Sequence, residues 1–415
     1  MKFHAPARSV IMERKKGYGW VVVFVVFLIY IMNMGVPMYG ATIINTKMAL
    51  EQSLDFAVLG YATSACGVVR ALTAAFGGRL ISRFGARRTM ALGSICSALV
   101  AAVLAFVPLN VYTRVLVFGL YGVGIVLGAI LSTPVMIRQW FEKNSALPMA
   151  IALSAGSVSG MVSAMIIEKI TDIWGWRSGW VTGVLGALGA FLLTMVFLRD
   201  NQSPAASEQK EGKKKGCKRG KNYFVLVSSY AIRTMAYLVI IGFAVVIMMD
   251  AGYSSGIGAQ GLMVISAAGL AGRLIQGFVG RTRLPLNIQA AIACLGESAG
   301  CLLLLTGSLP NMLLGCGMLG FCYGAGYILM PLLNAEYFPA QDYAQVTGET
   351  ITWGAVFGAA GPMLATVVLR TEFGFGGVLA ALAGVCALSG LSNILLKSNR
   401  NAIFLKKHKP INSRL

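Results

Sequence analysis

The sequence predicts an all-α integral membrane protein of twelve transmembrane helices, arranged as two pseudo-symmetric six-helix bundles. Three observations predict it. Of 415 residues, 57% are apolar and only 12% are charged, roughly half the charge of an ordinary soluble domain. Twelve apolar stretches punctuate the chain, and the second six repeat landmarks of the first.

Taken in order, the stretches lie near 18–43, 55–80, 89–107, 112–137, 146–167, 178–198, 223–248, 255–280, 286–307, 311–333, 344–369 and 374–396. Each holds ~20 residues or more, enough for a helix to cross ~30 Å of hydrocarbon. A water-soluble helical core would need polar faces that these stretches lack. The first follows the basic segment Met1–Lys16, but it carries Asn33 and Pro37 and no A-x-A cleavage site, so it reads as a retained span rather than a signal peptide. Segments four and ten carry the glycine runs Gly119, Gly122, Gly124, Gly128 and Gly315, Gly317, Gly320, Gly324. These read as helix contacts, where small residues let backbones approach. The boundaries that follow are a tail 1–17, a bundle 18–198, a linker 199–221, a second bundle 222–397 and a tail 398–415. The linker RDNQSPAASEQKEGKKKGCKRGK is polar, charged and aperiodic, as a flexible connector is.

A net charge of +20 in a soluble protein would suggest nucleic acid as partner; here its distribution points to lipid and excludes nucleic acid. Lys and Arg number 27 in the two tails, the linker and the loops on the same side, against five on the other side: Lys47, Arg114, Lys169, Arg177 and Arg370. Basic residues are retained on the cytoplasmic side, so both termini and the linker are expected there, in a multi-pass protein of the cell membrane. The eight cysteines form no CxxC pair, and the two histidines, His4 and His408, lie in the tails. No metal site, cofactor or catalytic constellation is expected, and the chain does not read as an enzyme.

Pro134, Trp140 and Phe141 recur as Pro331, Tyr337 and Phe338, and Arg70 and Gly77 recur as Arg273 and Gly280. Such duplication is common in transporters. Between segments two and three stands Gly78-Arg79-Leu80-Ile81-Ser82-Arg83-Phe84-Gly85-Ala86-Arg87-Arg88. Gly78 is expected to let two helices touch and Gly85 to supply a tight turn. Arg83, Arg87 and Arg88 suit helix C-terminal carbonyls and acidic partners when the cytoplasmic side closes. This loop resembles the signature G-x-L-x-D-R-x-G-x-R-R of the major facilitator superfamily, with Ser82 at the usual aspartate. The resemblance extends from Tyr18-Gly19-Trp20 to segment twelve and implies the major facilitator fold, with this loop as its cytoplasmic gate.

The runs YGWVVVFVVFLIY, GGRLISRFGARR, IRQWFEKNSALPMAIALSAG and NAEYFP look like the oxalate/formate antiporter and monocarboxylate transporter branch. In that branch an arginine in segment eight binds a substrate carboxylate, and Arg273 in GLAGRLIQGF stands at the matching place. Gly354 stands where dicarboxylate antiporters carry a lysine, and Gly269 where proton-coupled relatives carry an aspartate. Neither oxalate nor the usual proton route is therefore implied.

The charges inside spans carry their own argument. An intramembrane arginine costs roughly 2.5–3.5 kcal/mol on insertion scales, so it must face a partner, a cavity or water. Arg273, Arg233 and Arg70 converging on a cavity would form a carboxylate trap, because guanidinium is a planar fork suited to that anion. Each has a structural alternative: a buried acid or carbonyl for Arg273 and Arg233, and snorkelling to the surface for Arg70. Glu349 suits proton coupling or an ion pair, and Glu297 packing or pairing. Tyr39 either lines the cavity or anchors the interface. The reading is a secondary active transporter of a small organic anion, a monocarboxylate by resemblance, working by alternating access as antiporter or proton-linked carrier. Its partners would be that anion, a proton or counter-transported anion, and membrane lipid. The alternative is a carrier for a drug or sugar with structural arginines.

Overall fold

The computed structural model describes residues 7–141, 146–200, 219–279 and 284–396. The tails 1–6 and 397–415, linker residues 201–218, and the loops at 142–145 and 280–283 lie outside the described residues, as does the Ser82 side chain.

Each apolar stretch is a helix long and apolar enough to cross a bilayer. We number them α1 (Gly17–Glu51), α2 (Ala57–Ile81), α3 (Ala86–Phe106), α4 (Val111–Trp140), α5 (Ile151–Trp174), α6 (Trp176–Phe197), α7 (Lys221–Asp250), α8 (Ser255–Gly277), α9 (Leu286–Leu304), α10 (Leu309–Tyr337), α11 (Gln345–Leu369) and α12 (Gly374–Ile394). No strand occurs among the described residues. The helix that contains α1 runs back to Ala7, so residues 7–16 of the tail continue the first span as helix. Two spans contain a wider π-helical turn, Gly35–Gly40 in α1 and Val126–Ile130 in α4. In α1 it holds Pro37, which has no N–H to donate. The Asn33 amide donates to Ser94 Oγ at 3.0 Å and to the Gly128 carbonyl at 3.5 Å, giving that carbonyl of the α4 π turn a partner.

Within each bundle, glycine lets backbones meet. A Cβ on Gly324 of α10 would lie 2.1 Å from the Gly269 carbonyl of α8, and one on Gly93 of α3 would lie 2.2 Å from the Gly128 nitrogen of α4. Four of the five basic residues counted on the opposite side, Lys47, Arg114, Lys169 and Arg177, lie within helices. Arg114 is buried, with its guanidinium carbon 4.9 Å from the Trp176 ring centroid. Lys47 reaches Asp172 at 2.6 Å and Glu168 at 3.3 Å.

With twelve crossings, the α1 start, the α6–α7 junction and the α12 end share one face, here the linker face; the other is the far face. The bundles touch along α2–α11, α5–α8 and α1–α7. Their polar ties lie toward the far face: Thr42 Oγ1 to the Ile241 carbonyl at 3.0 Å, Thr366 Oγ1 to the Ala57 carbonyl at 3.4 Å, and Ser255 Oγ to Glu168 Oε1 at 2.9 Å. On the α2–α11 seam a Cβ on Gly60 would strike Thr366 and Pro362, and one on Gly67 would strike Ala359. About three turns closer to the linker face, Gly78 on α2 and Gly348 on α11 meet nothing within 4 Å. The seam is shut at the far face and parted at the linker face. The expectation that Gly78 brings two helices together is corrected in this conformation; Gly77, packed on Leu127 and Leu131 of α4, makes that contact.

Candidate functional site

Where the bundles meet, α8 places Arg273 between α5 and α10. Its Nη1 donates to the Leu153 carbonyl at a long 3.5 Å, and its guanidinium carbon lies 5.0 Å from the Tyr327 ring centroid. Arg273 Nε is buried with no hydrogen-bond partner, and no acid lies within ion-pair distance among the described residues. Gly156 on α5 makes room: a Cβ there would stand 3.5 Å from Tyr30 and 3.8 Å from Arg273 Nη1.

Tyrosines complete the surroundings. Tyr30 and Tyr39 from α1, Tyr237 from α7, and Tyr323 and Tyr327 from α10 all lie within electrostatic reach of Arg273. Tyr237 and Tyr323 stack face to face, centroids 3.5 Å apart and planes at 3°. Tyr39 is buried with its hydroxyl 3.4 Å from that of Tyr237, which places it at the centre rather than at the interface. Tyr327 remains 39% exposed.

Arg70 approaches the same tyrosines from α2, within reach of Tyr30 and Tyr323. Its Nη1 lies 3.5 Å from Met38 Sδ, and it does not snorkel away. It closes a cavity of about 30 Å³, bordered by Thr42, Asn45, Thr63 and Leu238, water-sized at most.

Arg233 is placed otherwise. Its Nε donates to both Glu297 oxygens at 3.0 and 3.1 Å and its Nη2 to Oε1 at 2.7 Å, with the Cys322 carbonyl accepting a further bond from Nη2. Both side chains are almost fully buried, 7% and 3% exposed. The cavity beside it, about 20 Å³, is lined entirely by α7, α9, α10 and α12. The expectation that Arg233 offers its fork to substrate is corrected: Glu297, which the sequence left to packing or pairing, holds it inside the C-terminal bundle.

Glu349 sits near the linker-face end of α11, accepting from Gln345 at 3.0 Å, from Arg219 at 3.3 Å and from the Tyr223 hydroxyl. It pairs there, away from Arg273. In the α2–α3 loop Gly85 adopts φ +83°, the left-handed region that favours glycine. Arg87 donates from Nε to the Thr194 carbonyl at 3.4 Å and from Nη2 to the Met195 carbonyl, at the end of α6, while its amide donates to Asp200. Arg83 and Arg88 are exposed, Arg83 beside its neighbour Phe84 at 5.4 Å. Through Arg87 the loop thus clasps its own bundle.

The sequence reading missed Tyr30, Tyr237, Tyr323 and Tyr327. The signal available was the spacing of Tyr323 and Tyr327, one turn apart on one helix face. It also missed the far-face cluster of Lys47, Glu168, Asp172 and Ser255, whose members come from three separate helices.

A model described as the Major Facilitator Superfamily matches residues 22–362. A 2-nitroimidazole transporter of Escherichia coli K12 is 25% identical over 84% of this chain and 88% of its own length. Human monocarboxylate transporter 14 is 23% identical over 48% of this chain. The chain spans only 38% of that protein's length and 39% of that of an uncharacterized MFS-type transporter, YcxA, of Bacillus subtilis. Among solved structures, a bacterial homologue of the human lysosomal transporter Spinster, described as inward-facing and occupied, superposes with TM-score 0.73 at 14% identity, covering 99% of this chain and 100% of that one. The chain belongs to the major facilitator superfamily.

Proposed function

We propose that this major facilitator protein is a secondary active transporter that moves a small organic anion, a monocarboxylate, across the cell membrane. It works by alternating access, as antiporter or proton-linked carrier, with the linker face and both termini cytoplasmic. The observation that carries the reading is Arg273: a guanidinium between the bundles, its Nε buried and unpartnered, with no acid among the described residues to neutralise it. Such a charge is costly, and a bound carboxylate offsets that cost with the two parallel bonds that a guanidinium fork favours.

The cycle follows from the seam. In the linker-face-open conformation the anion reaches Arg273 past Tyr327. Neutralising Arg273, with Arg70 behind it, removes the field that keeps like charges and helices apart at the centre. The linker-face halves of α2 and α11 then close, with Gly78 and Gly348 facing the gap that must vanish, and the far-face ties at Thr42, Thr366 and Ser255 yield. The α2–α3 loop, with Gly78, Ser82, Arg83, Gly85, Arg87 and Arg88, acts as the cytoplasmic gate. Glu349, held by Arg219 and Tyr223, is an ion-pair partner on this face and the residue through which proton linkage would run.

A second reading is a carrier for an uncharged heteroaromatic solute, favoured by the named substrate of the relative that spans 84% of the chain. Ligand affinity on the folded, monodisperse fraction of Arg273→Lys and Arg273→Ala separates the two. A lysine keeps the charge and loses the fork. Charge-assisted hydrogen bonds are worth roughly 1.5–3 kcal/mol each, so carboxylate affinity is expected to fall by about one to two orders of magnitude. Wild-type carboxylate affinity in both variants would remove Arg273 from the site.

A further inference from the structure

We propose that the anion is aromatic: a planar ring carrying a carboxylate, seated with its carboxylate on Arg273 and its ring against tyrosine faces. This rests on the reading that Arg273 binds a carboxylate. The argument concerns what surrounds that group. An arginine serving a small aliphatic acid needs only hydrogen-bond donors and room for a few carbons. Here the Tyr327 ring lies 5.0 Å from the guanidinium carbon, Tyr30 borders Gly156 together with Arg273 Nη1, and Tyr39, Tyr237 and Tyr323 lie within electrostatic reach.

Their arrangement is specific. Tyr237 and Tyr323, from different helices of the C-terminal bundle, stack face to face, so each ring already accepts a planar aromatic neighbour. Tyr327 is one turn further along α10 than Tyr323, and its ring lies beside the Arg273 guanidinium at 5.0 Å. A carboxylate held on Arg273 therefore has the Tyr327 ring, 39% exposed, beside it. A planar ring in that place meets π faces in offset or edge-on geometry, which aromatic pairs prefer. Tyr30, Tyr323 and Tyr327 make no side-chain hydrogen bond to another described residue, leaving their hydroxyls for polar substituents on the ring. The opposite end of the cluster is closed by Arg70 and the water-sized cavity at Met38 and Thr42.

The test pairs two carboxylates of similar size that differ in planarity and π character, benzoate and cyclohexanecarboxylate, with acetate as the minimal anion. Their affinities for the purified full-length protein are measured by isothermal titration calorimetry. Benzoate is expected to bind roughly tenfold tighter than cyclohexanecarboxylate, the value of one to two well-formed aromatic contacts beyond shared area. Tyr327→Leu should bring the two within about threefold, and Tyr327→Phe should keep the preference because it keeps the ring. Arg273→Lys should weaken both ligands by the same factor. Equal wild-type affinity for the two rings overturns the aromatic assignment while leaving the carboxylate reading intact. Loss of the preference in Tyr327→Phe as well as Tyr327→Leu overturns it too, since the hydroxyl and not the face would then be responsible. Binding of none of the three acids overturns both the assignment and the reading beneath it.

Discussion

Removing the Glu297 carboxylate should destabilise the protein without entering the transport site. Arg233 and Glu297 share three N–H···O bonds between 2.7 and 3.1 Å and are almost fully buried. In Glu297→Ala the guanidinium keeps only the Cys322 carbonyl among these partners. Breaking a buried pair from one side costs about 3–5 kcal/mol, whereas replacing both partners by apolar residues of similar volume is often neutral or better. Glu297→Ala should therefore shift the folded-to-unfolded ratio by more than a hundredfold, and Arg233→Met should strand the carboxylate at a similar cost. The double variant Arg233→Met/Glu297→Leu should recover most of the loss; with Glu297→Leu as the second single variant, the double-mutant cycle should give a coupling energy of about 5 kcal/mol or more. The assay is denaturant unfolding of detergent-solubilised protein, followed by ligand affinity on the folded double variant. A cost below ~1 kcal/mol for Glu297→Ala would show a solvated pair like those on surfaces. A double variant that folds yet loses ligand would return Arg233 to the binding site.

Three further expectations test the seam. Gly60→Val puts a Cβ within 1.9 Å of Thr366 Oγ1 and 2.6 Å of the Pro362 carbonyl, so the far face should fail to shut; maleimide labelling of a Gly348→Cys reporter should slow severalfold, and unchanged labelling in folded protein refutes the seam assignment. Gly78→Leu meets nothing in the present conformation, so unfolding and ligand affinity should stay as in wild type while exchange in liposomes falls at least about tenfold; affinity falling as far as exchange would sink the latch. Ser255→Ala removes the 2.9 Å bond to Glu168, a bond to a charged group worth about 1.5–3 kcal/mol, and spin-label distances across the far face should broaden toward longer values; an unchanged distribution means Lys47 and the apolar contacts hold that face alone.

The spans were legible because hydropathy is local: each apolar stretch is a helix, with ends within about four residues of where the sequence puts them except in α1, which runs on to Glu51, and α5, which lies at Ile151–Trp174 rather than near 146–167. Gly85 was legible for the same reason, since a turn between two helices demands a residue at ease with positive φ. Arg233 shows where that kind of reading stops. Its cost in the membrane announces a partner, but one segment cannot say whether the partner is a ligand or Glu297, two helices on. The tyrosines around Arg273 come from α1, α7 and α10, and they are grouped only once the bundles are docked. Gly78 fits its motif but makes no contact in this conformation, because a sequence encodes every state of a moving protein and a structure displays one.

The π turns at 35–40 and 126–130 make the two halves mechanically unequal. A π turn accommodates a residue more than the α ladder requires, so the surplus can migrate along a helix by exchanging hydrogen-bond partners, rotating one end against the other without melting either. Among the described residues only the N-terminal half holds such slack; α7 and α10, its counterparts by duplication, run as uninterrupted α-helix. Deleting one residue between 126 and 130 would remove that surplus and return the turn to α geometry, leaving α4 without slack while Trp140 keeps its place on Tyr18. A duplication that began as two equal copies has thus ended as a compliant jaw working against a stiff one.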